Sequence, residues 1–238
     1  MELANQTQVK WSMQDTTKVL LTIFCLLVGM NIVFYLIDLK RIFSESAHPS
    51  VITTIAFLIQ NLVFLCPIFF LVVKKYKLKP EALGFRNIGV INTLKWVAKG
   101  FGLVVVFNIF FNSVILRFVN EVPGFLTQES HIPLFGEAAP DIILAIIVLV
   151  IVAPIVEETL FRGFILQSFL ARFGPKTAST ISAVIFALMH FEFQSIGKIL
   201  VLGLILNWLF MRTKSIWPGI GFHVLNNAVA LLAEFLLK

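Results

Sequence analysis

Four apolar windows in this chain, Lys18–Ile37, Val51–Val73, Trp96–Phe118 and Ile142–Phe161 or beyond, are each long enough to cross a bilayer. At 1.5 Å per residue, roughly 20 helical residues span about 30 Å of hydrocarbon. Three further windows, Thr177–Phe191, Gly197–Phe210 and Pro218–Leu237, are shorter or more polar. The expected fold is therefore all-α, a polytopic integral membrane protein of about seven transmembrane helices. With 58% hydrophobic and 13% charged residues in 238, the chain is too apolar for a soluble globular domain. No boundary divides it: residues 1–238 read as one membrane domain, with N-terminal spans over 1–120 and a second polar-decorated part over 142–232.

The net charge of +6 does not indicate a nucleic-acid partner, because the basic residues sit in short loops where they set topology. Lys74, Lys75, Lys77, Lys79 and Arg86 crowd the second loop, whereas Glu121, Glu129, Glu137 and Asp141 dominate the third. The second loop is thus expected on the cytoplasmic side, the third outside, and the N-terminus inside. Lys40 and Arg41 in the first loop run against this pattern. The third loop, Asn120–Pro140, is the longest irregular connection and is expected to form an external cap. Cys25 and Cys66 lie in apolar segments without a Cys-x-x-Cys spacing, so they read as buried thiols. Met1–Thr17 is polar, and the apolar stretch after it is too long for a removable signal peptide.

Ionisable groups inside such windows are costly and mark functional sites by default. Glu158 and Arg162 are four apart on one helix face and are expected to pair, leaving Glu157, about 100° round the helix, to another partner. Pro154 removes a backbone donor just before them and is expected to kink the span. His190 lies about 21 Å in from Lys176 and Glu157 a similar depth from Arg172, so the two can meet. His223 and Asn227 share a stripe of a helix opened by Pro218, but the same arithmetic places His223 shallower than Glu157.

A base, an imidazole partner and donors for a developing negative charge are what amide hydrolysis by activated water requires. The chain has no Gly-x-Ser-x-Gly, no His-Glu-x-x-His and no Cys-x-x-Cys deaminase half-site, and both cysteines are remote in sequence from the histidines. Glu157-Glu158-x-x-x-Arg162, Phe186-x-x-x-His190 and His223-x-x-x-Asn227, in that order, resemble the three motifs of the CAAX protease and bacteriocin-processing (Abi) family. The resemblance covers Ile142 to roughly Leu232. It implies an intramembrane endopeptidase acting on a peptide or protein substrate in or at the membrane of a bacterium. In it Glu157 activates water, His190 is its partner, and His223 and Asn227 stabilise the oxyanion. Glu158, Arg162 and Phe186 would support them. The family is described both as glutamate-dependent and as metal-dependent. A metal-free mechanism is preferred here; if Zn²⁺ is present, Glu157, His190 and His223 are its ligands. Two other readings stand beside the enzyme. One is a non-catalytic member acting as a bacteriocin-immunity or membrane-partner regulatory protein. The other is a transporter with a proton or ion relay, weakened by the absence of an internal repeat.

Overall fold

A computed structural model describes residues 9–46, 48–115, 135–136 and 138–236. Eight helices account for most of them: α1 (Met13–Leu36), α2 (Leu39–Glu45), α3 (Pro49–Tyr76), α4 (Val90–Phe110), α5 (Ala139–Leu170), α6 (Pro175–Met189), α7 (Ile196–Thr213) and α8 (Trp217–Leu236). There is no strand among the described residues. Among the described residues five of the helices, α1, α3, α4, α5 and α7, are long and apolar enough to cross a membrane, a count that does not confirm the expected seven. The apolar α6, at 15 residues, extends only about 22 Å. Large exposed apolar side chains on α1, including Phe24, Tyr35 and Leu36, have no counterpart in a water-soluble fold and suit contact with lipid.

The helix ends follow local chemistry that the apolar windows do not capture. α1 starts a turn before Lys18 because Ser12 and Asp15 form a reciprocal capping box. The buried Asp15 also accepts from Lys75 Nζ (2.6 Å) and the Tyr76 hydroxyl (2.7 Å), tying the start of α1 to the end of α3. α4 begins at Val90 rather than Trp96, since Asn92 and Thr93 turn their side chains back onto the carbonyls of Ile88 and Gly89. It continues as a π-type turn over Phe111–Ile115, and the expected end at Phe118 lies outside the described residues. So does most of the proposed external cap with Glu121, Glu129 and Glu137, apart from Phe135, which is fully buried and stacked on Phe57. In the first loop Arg41 is paired with Glu45 at 2.9 Å, which offsets one of the charges that ran against the topology.

The core is organised around the second half of α5. Every residue from Glu158 to Phe169 is buried, as expected of a helix surrounded by others. Leu160, Phe161, Phe164 and Ile165 pack with Phe186 of α6, Leu206 and Phe210 of α7, and Phe222 of α8. Pro154 sits in a short α-helical stretch, Ala153–Glu158, between π-type turns over Ile146–Val152 and Thr159–Leu166. The missing donor is thus absorbed by a change of register on either side, a common accommodation in helices of this kind.

The second loop does not stay at the rim of the bundle. Its short 3₁₀ turn, Pro80–Leu83, enters between helices until the Leu83 carbonyl reaches Gly163, where an added Cβ would lie 2.7 Å from that oxygen. Gln167 donates to Ala82 O (3.1 Å), Ile216 N–H to Gly84 O (2.9 Å) and the Ser215 hydroxyl to Arg86 O (2.7 Å). The α7–α8 turn is therefore held at the level of Gly163, about 9 Å from Glu157 along α5. His223 lies about 10 Å beyond Ile216 along its own helix, which removes the depth mismatch left by the sequence.

Gly163→Ala is expected to lower stability by about 1 to 3 kcal/mol, because the obstructing atom is backbone and cannot rotate away. Thermal unfolding in detergent measures it. For orientation, a reporter fused after Lys79 is expected to read cytoplasmic and one fused near Glu129 external.

Candidate active site

Arg162 is the largest fully buried side chain among the described residues, and each of its three guanidinium nitrogens donates a hydrogen bond. Nη1 donates to Glu158 Oε1 (2.9 Å), Nε to Asn207 Oδ1 (3.1 Å) and Nη2 to the Gly203 carbonyl (3.1 Å). Asn207 is held in turn by donating to Ser179 O (2.9 Å). The guanidinium also lies 4.5 Å from the Phe186 ring centroid, a cation–π contact strengthened by the dry surroundings. One charge thus joins α5, α6 and α7. The expected Glu158–Arg162 pair is present, but Asn207 was not foreseen; its one signal was a lone amide inside an apolar window.

Glu158 carries the network on to α8. Its Oε1 also accepts from His223 Nδ1 at 3.2 Å, and its Oε2 is buried against Gly219, where an added Cβ would fall 2.7 Å away. A carboxylate can only accept, so His223 carries its proton on Nδ1 and presents Nε2 to the other side. His190, the residue closing α6, reaches the same arrangement separately: Nδ1 lies 2.7 Å from the Phe186 carbonyl, which likewise requires Nδ1–H. Phe186 stands between them, its ring edge-on to both imidazoles and to Phe161.

Both Nε2 atoms face Glu157. Its Oε2 lies 3.9 Å from His190 Nε2 and 3.8 Å from His223 Nε2, and has no hydrogen-bond partner although buried. The Glu157 and His190 side chains retain about a fifth of their exposure, 21% and 22%, while His223 is buried. Glu157, His190 and His223 therefore converge, with Glu158, Arg162 and Phe186 behind them. Next to them, Phe191 adopts a left-handed conformation (φ 55°) that is strained for a bulky side chain, and Phe193 is exposed.

Asn227 is placed differently from the expectation of a freely offered donor pair. Its Nδ2 donates to the Leu149 carbonyl at 3.1 Å. Ala153 N–H bonds back to Val148, and the residue five beyond Leu149 is Pro154, which has no N–H. Asn227 thus satisfies the carbonyl that the proline leaves without a donor, and joins α8 to α5. One amide N–H remains for other work.

The family resemblance raises the question of a metal. The donor types fit: two imidazoles anchored through Nδ1–H, with Nε2 and a carboxylate oxygen turned to one point, have the orientation that outer partners impose on zinc ligands. Their spacing is wider than the about 3.3 Å expected between tetrahedral zinc ligands, and no group of three ligating side chains is drawn together as a cage among the described residues.

Removing one partner from the buried pair exposes its function. Glu158→Gln is expected to cost about 3 to 5 kcal/mol by leaving Arg162 buried without a counter-charge, whereas Glu158→Gln with Arg162→Met should recover much of that loss. Melting temperatures of the two variants in one detergent check this.

The model of the family described as type II CAAX prenyl endopeptidase Rce1-like matches residues 139–229. YdiL of Bacillus subtilis (strain 168), whose name assigns it as a candidate membrane peptidase, is 33% identical over 91 residues, 38% of this chain and 37% of that protein. An Escherichia coli protein named as an uncharacterized 24.3 kDa protein is 28% identical over 101 residues, 40% of this chain and 46% of that one. The chain thus matches less than half the length of either relative. No solved structure matches it. The segment 139–229 of this membrane protein, which carries all three motifs and the converging side chains, matches the family of type II CAAX prenyl endopeptidases described as Rce1-like.

Proposed function

We propose that this chain is an intramembrane endopeptidase that hydrolyses a peptide bond of a membrane-associated substrate with water activated by Glu157. The observation that carries the reading is the convergence of three hydrogen-bond acceptors. Glu157 Oε2 and two imidazole Nε2 atoms face each other at 3.8 and 3.9 Å, too far for direct bonds and too close to be indifferent. A water bridging such atoms donates to two of them while its oxygen lone pairs point elsewhere, which is the pose of a nucleophile.

In this reading Glu157 takes a proton from water as the oxygen attacks the carbonyl carbon. The developing oxyanion is met by the second amide N–H of Asn227, with His223 held beside it through the Glu158–Nδ1 contact. As the C–N bond breaks, the proton held by Glu157 passes to the leaving amine with His190 alongside. Anchoring both imidazoles through Nδ1 before the reaction leaves little to reorganise during it. The exposed Phe191 and Phe193 offer the substrate an apolar approach beside His190. A bacterial plasma membrane with a cytoplasmic N-terminus is the setting that the basic second loop favours.

The Nδ1 anchoring favours a second version of the same chemistry, in which Glu157, His190 and His223 hold Zn²⁺. The ion would supply a bound water of lowered pKa. Two measurements on the purified protein separate these readings and test both. Glu157→Gln is expected to abolish cleavage of a susceptible peptide while leaving the melting temperature nearly unchanged, since size and much of the hydrogen bonding persist. Exhaustive chelation is expected to leave the parent active, with no stoichiometric metal by elemental analysis; loss restored by Zn²⁺ would assign the three residues as ligands. A Glu157→Gln variant that cleaves like the parent would sink the enzyme and leave a partner-regulating role.

A further inference from the structure

Away from the acidic site, at the far end of α5, the starts and ends of three helices enclose a different kind of cavity. It measures about 300 Å³ and lies where the N-terminal segment, the loop after α3 and the last turns of α5 meet. Lys10, Lys77, Lys79 and Arg86 line it, together with Trp11 and Leu78. None of the four cations has an ion-pair partner among the described residues, because the nearby Asp15 is already taken by Lys75 and Tyr76. Arg86 is oriented by donating Nε to Glu81 O (3.1 Å), which leaves the rest of its planar fork available. Lys214, just past α7, is pushed below the usual lysine value by burial and secondarily by Arg86.

The floor and walls are firmly built. Gln167 is buried and donates to Ala82 O and Gly163 O (3.1 and 2.6 Å), closing the bottom. Trp11 is fixed by donating to the Ser168 hydroxyl (2.7 Å) and by its ring lying 5.5 Å from Phe164. Val9 and Trp11 also wall a second cavity of about 470 Å³ in which Arg172 is the cation. A tryptophan at the end of membrane helices, flanked by lysines and arginines, marks the headgroup layer. Cationic pockets between helices at that depth recognise phosphate-bearing headgroups.

We propose that this cavity binds the phosphate of an anionic phospholipid headgroup, with Lys77, Lys79 and Arg86 on the phosphate, Lys10 closing over it, and Trp11 and Leu78 against the glycerol and upper acyl chain. The site is separate from the Glu157 cluster: Gln167 lies ten residues further along α5, about 15 Å away. Its occupant would brace the loop that places Leu83 against Gly163, and through it the α7–α8 turn that positions His223.

The test uses the full chain in detergent with equal amounts of phosphatidylglycerol and phosphatidylcholine, counting retained lipid by native mass spectrometry. The parent should retain phosphatidylglycerol preferentially. Lys77→Gln with Lys79→Gln should weaken that retention on the order of 10- to 30-fold, as removal of two interfacial cations implies. Lys95→Gln with Lys99→Gln on exposed positions of α4 removes equal charge and should change it less than about twofold. Equal loss in both pairs, or loss in neither, would overturn the site and leave diffuse surface attraction. If the first pair folds poorly, Lys79→Gln with Arg86→Gln asks the same question. Inorganic phosphate added without lipid distinguishes the source. Stabilisation of the parent that the cavity variant abolishes would identify a free phosphate anion; no effect, beside retained phosphatidylglycerol, identifies the lipid.

Discussion

A guanidinium with no access to water is the constraint around which this molecule is arranged. Isolated, Arg162 would be too costly to bury; with a carboxylate, an amide, a backbone carbonyl and an aromatic face it becomes the point where α5, α6 and α7 are joined. Because the same Glu158 oxygen also accepts from His223, the pair extends to α8. Stability and chemistry are thus coupled at one atom: what holds the bundle together also sets the tautomer and aim of an imidazole.

The second device is steric. Gly163 lets a backbone carbonyl of the second loop approach α5, and Gly219 leaves room for the Glu158 carboxylate; either Cβ would stand 2.7 Å from an oxygen. The first sets the height of the α7–α8 turn and the second sets the distance of α8 from the buried acid. Together they bring His223 to Glu157 from one side while His190, at the end of α6, arrives from the other. The convergence of two histidines on a carboxylate results from helix placement, and the family match over 139–229 falls on the segment that achieves it.

Much of this was legible in the chain, for physical reasons. Apolar windows report membrane helices because length and hydrophobicity are local properties, and the Glu158–Arg162 contact followed from a four-residue spacing on one helix. The cost of Pro154 was also readable, since a missing N–H is a property of the residue itself. What could not be read depends on which helices are neighbours. The use of Asn227 on the Leu149 carbonyl, the Asn207 contact to Arg162, and the shared Glu158 oxygen all join residues 45 to 78 positions apart. The apparent shallowness of His223 came from assuming that the α7–α8 turn lies at the membrane edge; the re-entry of Leu83 has no local signature beyond a glycine. Both windows behind α6 and α8 were legible as apolar segments, and α6 is the shorter of the two at 15 residues.

The central claim is that Glu158 and the Phe186 carbonyl fix both imidazoles as Nδ1–H and turn both Nε2 atoms to Glu157. Nitrogen-15 chemical shifts of the labelled histidines in detergent at neutral pH test it directly, since the ring nitrogens report their protonation separately. The account predicts a protonated Nδ1 at both His190 and His223, with Glu158→Gln altering the His223 signals and leaving those of His190 in place. A neutral Nε2–H tautomer at either residue, or a His223 spectrum indifferent to Glu158→Gln, would contradict it.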